Sequence, residues 1–141
     1  MIFGDDRTRL RRVYLEAWRK RRQGVPMEPL EVRVAEVVAR HPEYHALLES
    51  EAHLEHDFGP DSGRTNPFLH MAMHLALVEQ VATNRPAGIR DLHHRLAIAL
   101  GSEHEAEHRM MECLGLALWE AQREGRPPDE QAYMECLKRC L

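Results

Sequence analysis

With 141 residues, 43% of them hydrophobic and 30% charged, the chain is large enough to bury a core and too apolar to be disordered. Its net charge of −4 is unevenly spread: between Asp5 and Gly24 eight basic residues face three acidic ones, leaving +5 there and −9 on the remainder. No stretch approaches the ~20 uninterrupted apolar residues of a membrane span. The opening MIFGDDRT lacks the apolar segment of a secretory leader, and three cysteines, an odd number, argue against a disulfide scaffold, so the composition points to a cytoplasmic protein without a membrane partner.

The apolar spacing is helical between the Gly and Pro breaks, and no window alternates with a period of two. This predicts an all-α fold, a compact bundle of five to six mostly antiparallel helices in a single domain over 1–141. A first helix over about 6–23 presents Leu10, Val13, Tyr14, Ala17 and Trp18 as one stripe. A second carries Leu30, Val34, Val37 and Val38 and must bend or restart at His41-Pro42, because the residue before a proline avoids the α conformation. The 56–66 stretch is the longest expected loop. A third helix begins with Asn66 as N-cap and Pro67 at its first position, and is apolar on nearly every face as far as Ala82. A fourth covers about 88–100. A fifth opens on the Ser102/Glu105 capping box and runs to about Glu124. A sixth, from Asp129, places Ala132, Tyr133, Cys136, Leu137 and Cys140 on one side, where the cysteines read as small apolar residues. Cys113, Trp119 and Met71, Met73, Met110 and Met111 read as core.

Ten histidines are the outlier in this composition. Three His-x3-His pairs occur, His41/His45, His70/His74 and His104/His108, where random placement gives roughly 0.7. Two of them extend by a further turn to a carboxylate, Glu49 and Glu112. Residues four apart project from one helix face, so two imidazoles can converge on one ion, and the carboxylate can bind it or bridge to a second. His70 and His74 lie on a helix with almost no other polar surface, where an unsatisfied imidazole costs about 1–3 kcal/mol. His70, His74, His104 and His108 are therefore the expected metal ligands, with His45, Glu49 and Glu112 supplementing them. The mixed nitrogen and oxygen donors suit iron, manganese or zinc. Glu103, Glu105 and Glu107 read as a polar, solvated turn around His104 and His108. His53, His56, His93 and His94 lack comparable spacing, although His93 shares a face with Ile89, Leu96 and Leu100 and could be a core histidine or an outer partner of a ligand.

The strings HPEYHALLE from His41, NPFLHMAMHLALVEQ from Asn66, RPAGI from Arg85 and HEAEHRMMECLGLALWEAQREGRPPDEQAY from His104 resemble the bacterial domain-of-unknown-function family 1841 over almost the whole chain. That resemblance implies a small cytoplasmic bacterial protein with no assigned activity. The order His45/Glu49, His70/His74, then a later histidine pair is similar to the ligand order of hemerythrin-like bundles. The likeness departs in the first helix, which has no histidine, and in the missing His-x4-Asp step.

Two functions of different class follow. One is a helical protein that binds one or two transition-metal ions through His and Glu of its central helices. The other is a non-catalytic interaction module whose basic stretch Arg7–Arg22 meets an anionic partner such as RNA, ribosome or an acidic protein, and a homo-oligomer is compatible with either. Haem held between two histidines is a weaker variant of the first. No Gly-rich phosphate loop, nucleophile elbow or Cys/His catalytic pairing is present, no catalytic residue is named, and enzyme and binding protein stay as alternatives.

Overall fold

In a computed structural model, residues 2–54 and 66–141 are described, and among them the fold is all-α, with seven α-helices and no strand. The expected 56–66 loop, Asn66 apart, lies outside the described residues, as do His56 and the side chains of Arg7 and His53. The chain divides into two units, 1–71 and 72–141.

In the first unit, α1 (Ile2–Gln23) packs on α2 (Pro29–Ala39). Glu28 and Glu31 close a capping box at the start of α2, with Pro29 in the first turn. The helix stops before His41-Pro42, as the proline demands, and the chain continues through a 3-10 turn (Pro42–Tyr44) into the short α3 (His45–Leu48). The buried face of α1 keeps Ala17 and Trp18 of the expected stripe, with Val13 and Tyr14 part-buried, and departs from it at Leu10. Leu10 is 67% exposed, whereas Arg11 is only 4% exposed and shares its face with Leu15 and Trp18. Arg11 Nη1 donates to the Leu54 carbonyl at 3.0 Å, and its guanidinium lies 4.9 Å from the centre of the Phe68 ring. An arginine stem can fill an apolar face when its head is satisfied, and that turns the helix by one position.

The helix α4 (Pro67–Thr83) begins in the first unit and continues into the second. Asn66 Oδ1 caps it, accepting from the Phe68 and Leu69 amides at 3.0 and 3.2 Å. It is less buried than its sequence suggests, with Leu69 56% exposed. In the second unit, Asn84 takes a left-handed conformation (φ 54°) and its side-chain oxygen accepts from the Gly88 and Arg90 amides, which starts α5 (Ile89–Leu100). Gly101, at φ 79°, ends α5 immediately before the Ser102 N-cap of α6 (Glu103–Glu124). These two residues alone separate the helices. Asp129 then caps α7 (Glu130–Arg139). Leu77, Ile89, Leu92, Leu96, Met110, Leu114, Tyr133 and Leu137 form the core of this unit.

Two expectations are corrected here. Trp119 is 55% exposed and lies against the Arg123 guanidinium one turn on, because it sits on the side of α6 away from Met110, Cys113 and Ala117. Cys113 and Cys136 are joined in a disulfide between α6 and α7, with Cys140 the remaining thiol. An odd count excludes pairing of every cysteine, not pairing of two that the fold brings together. Among the described residues no helix is long and apolar enough to cross a membrane.

Candidate metal centre

The Ser102 cap sets where α6 begins, and from there His104, Glu107 and His108 fall on one side through spacings of three and four. Glu103, Glu105 and Glu112 are exposed. Glu107 is instead 4% exposed, because it precedes the buried Met110, Met111 and Leu114 by three, four and seven residues and so shares their stripe.

Two imidazoles meet this carboxylate. His74 of α4, fully buried, stands with Nε2 at 2.6 Å from Glu107 Oε1, and His93 of α5 with Nε2 at 2.9 Å from Oε2. Burial alone would push the Glu107 carboxyl up, but the hydrogen bonds from His74 and His93 outweigh it and hold the group at about 2. Glu107 is therefore ionised and can only accept, which fixes a proton on Nε2 of both histidines. A neutral His74 then keeps its lone pair on Nδ1.

The rest of the cluster is made of rings. His104 and His108 lie with centroids 5.1 and 5.3 Å from His74 and 4.1 Å from each other. His104 Nδ1 is shielded from solvent although the residue as a whole is half-buried. His74, His104 and Glu107 each offer a ligand atom, all within 4.8 Å of one another. Two donors on one ion at 2.0–2.1 Å stand roughly 2.9–3.4 Å apart, so shifts of about 1 Å or less per side chain bring the outermost atoms to bonding distance.

The first unit holds a histidine pair of its own. His41, fully buried, donates from Nδ1 to the Val37 carbonyl at 2.7 Å, which leaves its Nε2 to accept from His70 Nε2 at 3.1 Å. Tyr44 stacks on His41 and meets His70 edge-on, and burial pushes its hydroxyl up.

Of the seven expected ligands, His74, His104 and His108 are brought together, and His70 pairs with His41. His45 stacks on Trp18 with centroids 4.2 Å apart and donates from Nε2 to the Val38 carbonyl. Glu49 is exposed, accepting from Trp18 Nε1 and lying 3.8 Å from Arg22; Glu112 is exposed on α6. Glu107 and His93 join the cluster from outside the expected ligand set: His93 takes the core position its apolar stripe offered, and Glu107 is carried in by the Met110 stripe rather than solvated.

The basic stretch of α1 meets carboxylates of its own unit. Arg12 pairs with Glu51, Arg19 with Glu16, Lys20 with Glu31 and Arg22 with Glu49. Arg9 and Arg21 stand exposed.

Residues 6–139 match the family described as a domain of unknown function, DUF1841, and the chain belongs to that family. No curated protein and no solved structure matches it.

Proposed function

We propose that this member of the DUF1841 family is a metal-binding protein whose centre is built by His74, His104 and Glu107, with His93 holding the carboxylate from behind and His108 beside the rings. The observation that carries this reading is the buried, ionised Glu107 gripped between two imidazoles with a third within ligand reach. A carboxylate bonded to a histidine is the arrangement that raises the basicity of a ligating imidazole and fixes its ring. The nitrogen and oxygen donors favour iron, manganese or zinc over metals that demand thiolates. A stoichiometry of two would assign the second ion to the His41/His70 pair, whose Nε2 atoms already stand at a shared-ion spacing.

The test is elemental analysis and calorimetry on untagged protein, stripped with a chelator and then offered zinc, iron(II) or manganese(II). The expected result is about one ion per chain, with an affinity at least ten-fold weaker in His104→Ala. His104 is the better site to change because, half-buried, it risks the fold less than His74. Occupancy below about 0.2 ion per chain with all three metals would overturn the reading and leave the cluster as a buried hydrogen-bond network.

A further inference from the structure

The second unit contains another group of reactive side chains, on a different face of α6 from Glu107. All three cysteines of the chain gather there. Cys113 of α6 is bonded to Cys136 of α7, and the Cys140 sulfur lies 3.8 Å from the Cys113 sulfur, which is van der Waals contact. Cys136 and Cys140 are one helical turn apart, so both project toward the same strip of α6. Cys113 thus has two alternative partners.

We propose that Cys113, Cys136 and Cys140 form a thiol–disulfide exchange site, in which the bond moves between Cys113–Cys136 and Cys113–Cys140. The step is internally balanced. Cys140 gives up its proton to solvent and its thiolate attacks the Cys113 sulfur. A Cys113–Cys140 bond forms as the Cys113–Cys136 bond breaks, and the electron pair leaves on the Cys136 sulfur, which takes up a proton. No oxidant or reductant is consumed.

Geometry favours attack at Cys113, the disulfide sulfur that Cys140 touches. The sulfurs must close from 3.8 Å to about 2.05 Å, a movement of less than 2 Å. Cys140 can supply it because it is the C-cap residue of α7, just past the last regular turn of the helix. Its thiol now donates to the Cys136 carbonyl at 3.5 Å, a weak bond to give up.

The two bonded forms differ in which thiol they present. Cys113 and Cys136 line a surface pocket with Glu120, Arg126, Asp129 and Arg139, and Cys140 is not among its lining residues. Exchange therefore delivers a Cys136 thiol into a pocket lined by two guanidiniums and two carboxylates. An incoming small disulfide would meet a nucleophile there in one form and a closed bond in the other.

The experiment uses the whole folded chain, equilibrated in a glutathione buffer at about pH 8.5, near the ordinary thiol value. Acid quenching, alkylation and tryptic mass mapping follow. Trypsin cuts after Lys138 and Arg139, between Cys136 and Cys140, so the two bonded forms give different peptides. The expected result is alkylation divided between Cys140 and Cys136, in a ratio that does not change with protein concentration. Alkylation confined to Cys140, or a ratio that rises with concentration as it would for exchange between molecules, would overturn the proposal. Cys136→Ser, if its helical dichroism matches the parent, should form Cys113–Cys140 in the same buffer; both thiols staying open to alkylation would count against exchange as well.

Discussion

Replacing Glu107 by glutamine keeps the side-chain shape but removes the one group that can accept from two imidazoles at once. The amide offers a single carbonyl oxygen, and its nitrogen donates, so it opposes the Nε2–H of either His74 or His93. One imidazole must then change tautomer or lose its partner. A hydrogen bond to a charged group contributes about 1.5–3 kcal/mol, so Glu107→Gln should cost about 2–3 kcal/mol. Glu107→Ala abandons both bonds and leaves two buried imidazoles, and should cost about 3–5 kcal/mol. Urea unfolding followed by far-ultraviolet dichroism, with chelator in excess so that no metal contributes, measures both. Losses of this size are a large part of the roughly 5–15 kcal/mol a folded domain possesses. A change within about 0.5 kcal/mol for Glu107→Gln, the range of an exposed substitution, would refute the buried network and the candidate centre with it.

Arg11→Met should destabilise by about 1–3 kcal/mol because it leaves the Leu54 carbonyl without its guanidinium, whereas Arg12→Met, which breaks only the exposed pair with Glu51, should cost about 0–1 kcal/mol; paired denaturation curves compare them. The Lys20 ammonium beside Glu31 holds that carboxyl below its ordinary value, so the pair stabilises above the ordinary value and is lost as pH falls through the lowered one. Glu31→Gln should therefore flatten the acid side of the stability profile and leave its alkaline side unchanged, read as thermal midpoints across pH. Reducing the Cys113–Cys136 bond, with 23 residues of separation, should lower stability by about 3 kcal/mol through the added freedom of the unfolded chain, measured by denaturation with and without dithiothreitol.

The helices were legible wherever local chemistry decides them. Asn66, Ser102 and Asp129 each cap the helix their position announces, and Pro42 breaks the second helix where its ring requires. What could not be read is decided by tertiary partners. Arg11 turns α1 because Leu54 and Phe68, more than forty residues away, satisfy it. Glu107 looked solvated among neighbouring glutamates, and only the arrival of His74 and His93 makes burial of its charge tolerable. The spacing rule still found three of the clustered rings, because imidazoles four apart share a face whatever lies opposite. It could not separate His45, whose ring packs on Trp18, from His74. Nor could spacing pair Cys113 with Cys136, since a cross-link between helices depends on how α7 lies on α6.

The histidine cluster and the cysteine group share α6, and the helix geometry says whether they act together. Glu107 and Cys113 are six residues apart, roughly 9 Å along the axis and about 120° around it. Glu107 therefore faces His74 of α4 and His93 of α5, while Cys113 faces α7. What lies between them is a single uninterrupted helix with Met110 and Met111 packed into the core. Perturbations at sites this far apart add when neither shifts the element between them. Stability losses from Glu107→Gln and Cys136→Ser should accordingly sum in the double variant to within about 0.5 kcal/mol, measured in the same denaturant series. A larger discrepancy would mean that α6 moves as a lever between its two faces, and that the state of the disulfide is felt at the imidazoles.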